Sequence, residues 1–284
     1  MAVKAAVAEQ FAAGIRDAEA YRRVRAFARS RRDEVLQELT QLGFVDENGM
    51  LTTSTKPFNV FARLAAGAMP LRPHMVTENR WLEESGHASR FMVCDNLPEA
   101  DAEWESREEK WLGRASMSKR HRFLTSRDLS WSLFNALVFG MESTEQLAEA
   151  VHFVEAIIAA ARAYTQKAGY SSNVGLYFHI YGLSSVNSLH LHMLDLDYTG
   201  PTFEDLNHKN LPADAVLSVL QEELATQRGA ALSKKQEAPP VPQGKVRAMT
   251  MTYACPIAIV AATTFLMMGA LAGALLSGYF WAEH

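Results

Sequence analysis

Cysteine is nearly missing from this chain. Cys94 and Cys255 are the only two in 284 residues, and their separation fits neither a metal knuckle nor a redox pair. A disulfide framework is thereby excluded, and a reducing compartment is the default for the soluble part. An excess of one charge sign is also missing: the formal net charge is −4, so bulk electrostatics give no basis for nucleic-acid binding. No internal repeat is visible. Hydrophobic content of 48% and charged content of 21% describe a chain that folds rather than a disordered one, with room for one large or two modest domains.

One segment lacks charge altogether. Residues 254–282 read ACPIAIVAATTFLMMGALAGALLSGYFWA, longer than the roughly 20 apolar residues that cross a bilayer core as a helix. Tyr279, Phe280 and Trp281 form an aromatic end, Lys245 and Arg247 precede the run, and only Glu283 and His284 follow it. The expectation is a single-pass C-terminal membrane anchor with the large N-terminal part on the cytosolic, matrix or stromal side. Gly269, Gly273 and Ser277 recur every four residues, a face suited to helix pairing in lipid.

Proline is absent from Val3 to Leu42, and Phe11, Ile15, Val24, Phe27, Val35, Leu36 and Leu39 recur with helical spacing, which predicts one or two helices. Arg22, Arg23, Arg25, Arg29, Arg31 and Arg32 cluster there, either as a solvated helix face or as a docking surface for anionic lipid or an acidic partner. Residues 50–77 carry Pro57, Pro70 and Pro73 and read as an irregular connector. Strands are expected at Arg90–Asp95 and His121–Ser126, separated by a polar insertion from Glu99 to Arg120. An amphipathic helix follows an N-cap at Ser143 and runs to Lys167, with Gly169 closing it. Two more strands, Val174–Tyr181 and Leu189–Leu194, and a helix from Pro212 to Gln227 complete the pattern. The expected organisation is a helical extension and connector over 1–79, an α+β domain over 80–230, a linker over 231–253 and the anchor over 254–282.

The densest chemistry lies where Ser188, His190 and His192 alternate with Leu189, Leu191 and Met193. A period of two puts a hydroxyl and two imidazoles on one face of a strand and the apolar set on the other. Three uses compete for the histidines: a metal site with His179 as third ligand, core histidines satisfied by hydrogen bonds, or a phosphate site with a nucleophilic imidazole. In the last, Ser184, Ser185, Ser188 and the amides of the Gly182 turn would serve as donors.

Phe178-His179, a short connection, and Ser185-Val186-Asn187-Ser188-Leu189-His190-Leu191-His192-Met193-Leu194 resemble the histidine triad (HIT) superfamily, in its Hint-like and aprataxin-like branches. A strand ending at Asp95, His121 opening a second strand, a helix, and then the motif strand add to the likeness. It covers roughly residues 80–224. The resemblance implies an antiparallel sheet with helices, commonly paired as a dimer, and a site for a purine nucleoside monophosphate conjugate, with no metal or cofactor. By position, His190 matches the nucleophile that attacks the α-phosphorus, and His192 and Ser185 match residues that contact phosphate. Asp95 matches the acidic residue near the ribose, and His121 the histidine of the second strand. Two departures stand out: the first triad histidine is Ser188, which cannot relay a proton as imidazole does, and the insertion between Asp95 and His121 is long. The expected function is a membrane-anchored HIT-type nucleotide hydrolase or transferase; the alternative is a catalytically weak or inactive HIT-fold subunit of a membrane complex.

Overall fold

Five antiparallel strands with helices packed against them make this an α+β structure. The computed structural model describes residues 3–52, 60–184 and 186–237. Three helices open the chain: α1 (Val3–Gln10), α2 (Ala18–Ser30) and α3 (Arg32–Gln41). The expected one or two helices are broken after Phe11, where Gly14 adopts φ 99° because its Cα faces the His208 carbonyl; a Cβ there would lie 2.0 Å from that oxygen. Asp17 restarts the chain as N-cap of α2, accepting from the Ala20 amide at 2.8 Å.

The proline-bearing stretch is not a bare connector. It holds α4 (Val60–Ala65) and the start of α5 (Pro73–Glu84), which uses Pro73 in its first turn. A proline there loses no helical hydrogen bond, so the residue that reads as a breaker is a helix start. β1 (Phe91–Asp95), α6 (Pro98–Ala102), β2 (His121–Ser126), α7 (Thr144–Lys167), β3 (Val174–Phe178) and β4 (Leu191–Asp195) follow. Then come α8 (Pro201–Leu206), a two-residue β5 (Leu211–Pro212) and α9 (Ala213–Glu237). The sheet order is β1-β2-β4-β3-β5, which places the motif strand β4 between β2 and β3.

Alternation assigns the two sheet faces. Phe91, Val93, Leu124, Phe178, Leu191 and Met193 join the main core with Val154, Ile157 and Ile158 of α7 and Val216, Val219 and Leu220 of α9. Met92, Cys94 and Phe123 face the other way and pack with Phe61 of α4. Phe123 stands opposite His192 across the β2–β4 ladder, and His192 opposite Tyr177 across β3–β4. The histidine row therefore lies on the face roofed by α4, away from the helical core.

All of the described residues belong to one compact unit, so the expected boundary near residue 80 does not divide it; α5 runs across that position. The reason is α2, which packs on α9. Arg25 donates to both carboxylate oxygens of Glu223, at 2.9 and 2.7 Å, and to the Phe139 carbonyl at 2.6 Å. Arg29 reaches Glu223 at 2.8 Å and Arg22 reaches Glu222 at 2.7 Å. Much of the arginine cluster is thus consumed by acidic partners inside the fold, with Arg25 fully buried; fork-to-carboxylate geometry of this kind is what guanidinium favours at a buried contact. Among the described residues no helix is long and apolar enough to cross a membrane; the expected anchor at 254–282 lies outside them.

Candidate functional site

The loop that delivers the motif is tied down at both ends by one side chain. Asn135 donates through its amide to the His179 and Asn187 carbonyls at 3.2 Å each, and its Oδ1 accepts from the Tyr181 amide at 3.0 Å and the Leu137 amide at 3.1 Å. All four hydrogen-bonding positions of a carboxamide are used. Thr125 adds a bond from Oγ1 to the Leu189 carbonyl at 2.6 Å, fixing the residue between Ser188 and His190.

This clamp gathers four imidazoles. His179, His190 and His192 each offer a ring nitrogen within 4.8 Å of the other two, and His121 Nε2 lies 2.9 Å from His192 Nδ1. The site is closed: relative exposure is 3% for His121, 6% for His179, 2% for Ser188, 4% for His190 and 5% for His192. Its walls are aromatic. Phe61 lies over His190 with ring centroids 4.8 Å apart at 31°, and Phe123 sets its edge against His190 and His192 at 5.6 and 5.0 Å. Such surroundings keep the imidazoles neutral. Burial pushes His190 down to about 4, opposed by its bond to Ser188. Burial, with Arg122 and His190 nearby, pushes His121 down to about 3. His179 and His192 are held well below the ordinary value by burial and by the neighbouring histidines.

Neutral rings make proton positions decisive. His190 Nδ1 lies 2.7 Å from the Ser188 carbonyl, which can only accept, so Nδ1 carries the proton and Nε2 presents a lone pair. His121 Nδ1 accepts from the Met117 amide at 3.2 Å, so its Nε2–H donates to His192 Nδ1. The proton of His192 must then sit on Nε2, a buried atom with no partner. Ser188 Oγ and Asn187 Oδ1 are likewise buried and unpartnered. A metal ion needs lone pairs from all of its imidazole ligands; here His192 turns an N–H outward, and the three-histidine group does not fit one in this hydrogen-bonded arrangement.

The other expected site residues divide. Ser188, His190, His192 and His121 come together. Asp95 does not join them: at the end of β1 it stands opposite Arg122, and its carboxylate is taken by Arg72 at 2.9 Å and His74 at 2.7 Å on the α5 side. Its neighbour Asn96 reaches His121 instead. Ser185 lies outside the described residues, and Ser184 donates to the Val186 carbonyl at 2.8 Å. No family model, curated protein or solved structure matches this chain. Phe61, Asn96, Asn135 and Asn210 carry no sequence signal as site residues, being single side chains outside any periodic pattern. Asn210 Oδ1 accepts from His179 Nε2 at 2.8 Å.

Proposed function

We propose that this chain is a membrane-anchored nucleotide hydrolase or transferase of the histidine triad type, acting on a nucleoside monophosphate joined to a leaving group through a phosphoramidate or phosphoanhydride. The observation that carries the reading is the pairing of a lone pair on His190 Nε2 with orphaned buried polar atoms on Asn187, Ser188 and His192. Buried polar groups without partners cost of order 1–3 kcal/mol each, and a phosphoryl oxygen at Ser188 Oγ and His192 Nε2–H relieves two of them. The order β1 ending at Asp95, β2 opening at His121, then α7 and the motif strand supports the resemblance at the level of topology.

In the reaction, His190 Nε2 bonds to the α-phosphorus as the bond to the leaving group breaks, and the leaving group takes a proton from solvent water. The Nδ1 proton stays on the ring and is donated to the Ser188 carbonyl, which stabilises the charge gained by the ring. Water then attacks phosphorus as the bond to His190 Nε2 breaks, its remaining proton returns to solvent, and the nucleoside monophosphate and neutral His190 are released. The run 254–282 holds the enzyme at its membrane. The test is AMP release from an adenosine phosphoramidate by the full chain in mild detergent; activity unchanged in His190→Ala overturns the reading.

The closed site favours one second reading. With Phe61 over His190 and Ser188 in the first triad position, the domain serves as an inactive subunit of a membrane complex. That reading expects no turnover and copurification with other membrane proteins, and a free, active dimer contradicts it.

A further inference from the structure

The polar insertion before β2 ends in the site. Asp101, in α6, accepts from the Ser116 hydroxyl. Ser116 Oγ accepts from Asn96 Nδ2 at 2.7 Å, and the same amide group faces His121 Nδ1 at 3.0 Å. His121 Nε2 continues to His192 Nδ1. Arg122 donates to the second oxygen of Asp101 at 2.9 Å and so keeps that carboxylate an acceptor. Direction is set twice over. The single proton of Ser116 goes to Asp101, so Asn96 must donate toward both Ser116 and His121; independently, the Met117 amide donates to His121 Nδ1 at 3.2 Å. The donors diverge from the Asn96 amide: one N–H and the Ser116 hydroxyl point toward Asp101, and the other N–H and His121 Nε2–H point toward His192.

We propose that Asp101, Ser116 and Asn96 are positioning residues that, through His121, fix His192 as the Nε2–H tautomer, so that the site presents a hydrogen-bond donor to an oxygen anion and refuses a divalent metal ion. The ligand half rests on the phosphate-site reading above; the proton position does not. Ser188 explains why the device is needed from this side: the row neighbour of His190 carries no ring nitrogen, so the proton of His192 is governed from β2 and the insertion.

Substitution Asn96→Asp inverts the chain. The new carboxylate accepts from His121 Nδ1 in a charge-assisted bond about twice as strong as the neutral Met117 contact that it displaces. His121 Nε2 becomes a lone pair, and His192 donates from Nδ1, leaving Nε2 free as a ligand atom. The experiment labels the nine histidines of the full chain with ¹⁵N, in mild detergent, and reads each ring by two-bond ¹⁵N–¹H correlation at neutral pH; His192 is identified by its loss in His192→Gln. Wild type is expected to show His192 protonated at Nε2, and Asn96→Asp to move that proton to Nδ1. With inorganic phosphate as the probe, the variant binds about tenfold more weakly, the loss of one hydrogen bond, and it gains Zn²⁺ binding.

Wild-type His192 protonated at Nδ1 overturns the inference without any variant. So does a folded Asn96→Asp protein that keeps the proton at Nε2 or binds phosphate as tightly as wild type. A wild-type protein with the expected tautomer but no phosphate binding and no AMP release overturns the ligand reading and leaves the proton chain standing.

Discussion

Acid should unfold this protein through its histidines before its carboxylates titrate. His121, His179, His190 and His192 are neutral in the fold, and all four hold their protons less tightly than an unfolded histidine. The unfolded chain therefore binds more protons below pH 6.5. The stability from burying neutral rings is complete above that pH and is lost as pH falls toward the folded values, about 4 for His190 and about 3 for His121. At pH 5 an unfolded imidazole is almost fully charged and a buried one almost bare. His190 and His121 then each lose about 2 kcal/mol relative to pH 7.5, about 4 kcal/mol together, and His179 and His192 shift stability in the same direction. Domain stabilities are about 5–15 kcal/mol, so the loss is a large part of the margin. The assay is urea unfolding followed by tryptophan fluorescence at half-unit pH steps from 7.5 to 5, with His190→Gln expected to remove about 2 kcal/mol of the loss. Carboxylates titrate mostly below this window. A urea midpoint equal at pH 7.5 and pH 5 would refute the claim that these rings are buried and neutral.

Phe61→Ala removes the ring over His190 and should raise the rate at which diethyl pyrocarbonate modifies His190 at least tenfold, at a stability cost of about 3–5 kcal/mol for a buried Phe; an unchanged modification rate contradicts the roof assigned to α4. Ser188→His adds an imidazole to the row of His190 and His192 at a 2% exposed position. It should raise AMP release about 10²- to 10⁴-fold while costing about 1–3 kcal/mol in packing; no gain in a folded variant argues against a proton-relay deficit. Gly200→Ala puts a Cβ 1.8 Å from the Trp104 carbonyl oxygen, prising the insertion off the loop before α8. It should lower the melting temperature, whereas Gly229→Ala in α9, where the added carbon meets nothing within 4 Å beyond the backbone of its own helix, should raise stability by up to about 1 kcal/mol; the two melting curves check both signs.

What the sequence made legible follows from periodicity and caps. The alternation at 188–194 correctly separates the imidazoles from Leu189, Leu191 and Met193, because a pleated strand has only two faces. Ser143 caps α7 by accepting from the Gln146 amide, and β2 begins and ends where expected. What was hidden depends on contacts between distant residues. Arg25 meets Glu223 across 198 positions, a pairing that no local pattern announces, so the first 79 residues read as an appendage. α4 is six residues long, too short to display a period, yet it carries the ring that closes the site.

The site's polar support was illegible for another reason. A neutral imidazole has two tautomers of similar energy, and which one it adopts is set by the hydrogen bond at its other nitrogen. A neutral hydrogen bond contributes about 1 kcal/mol net, enough to favour one form several-fold. Asn96 and the Met117 amide together supply two such bonds at His121 Nδ1, and the bias passes to His192 through a single 2.9 Å contact. The row Ser188–His190–His192 thus declares which atoms face the site, but whether they donate or accept is decided by residues 71 or more positions upstream of His192. An insertion that reads as surplus polarity between two strands is where that decision is made.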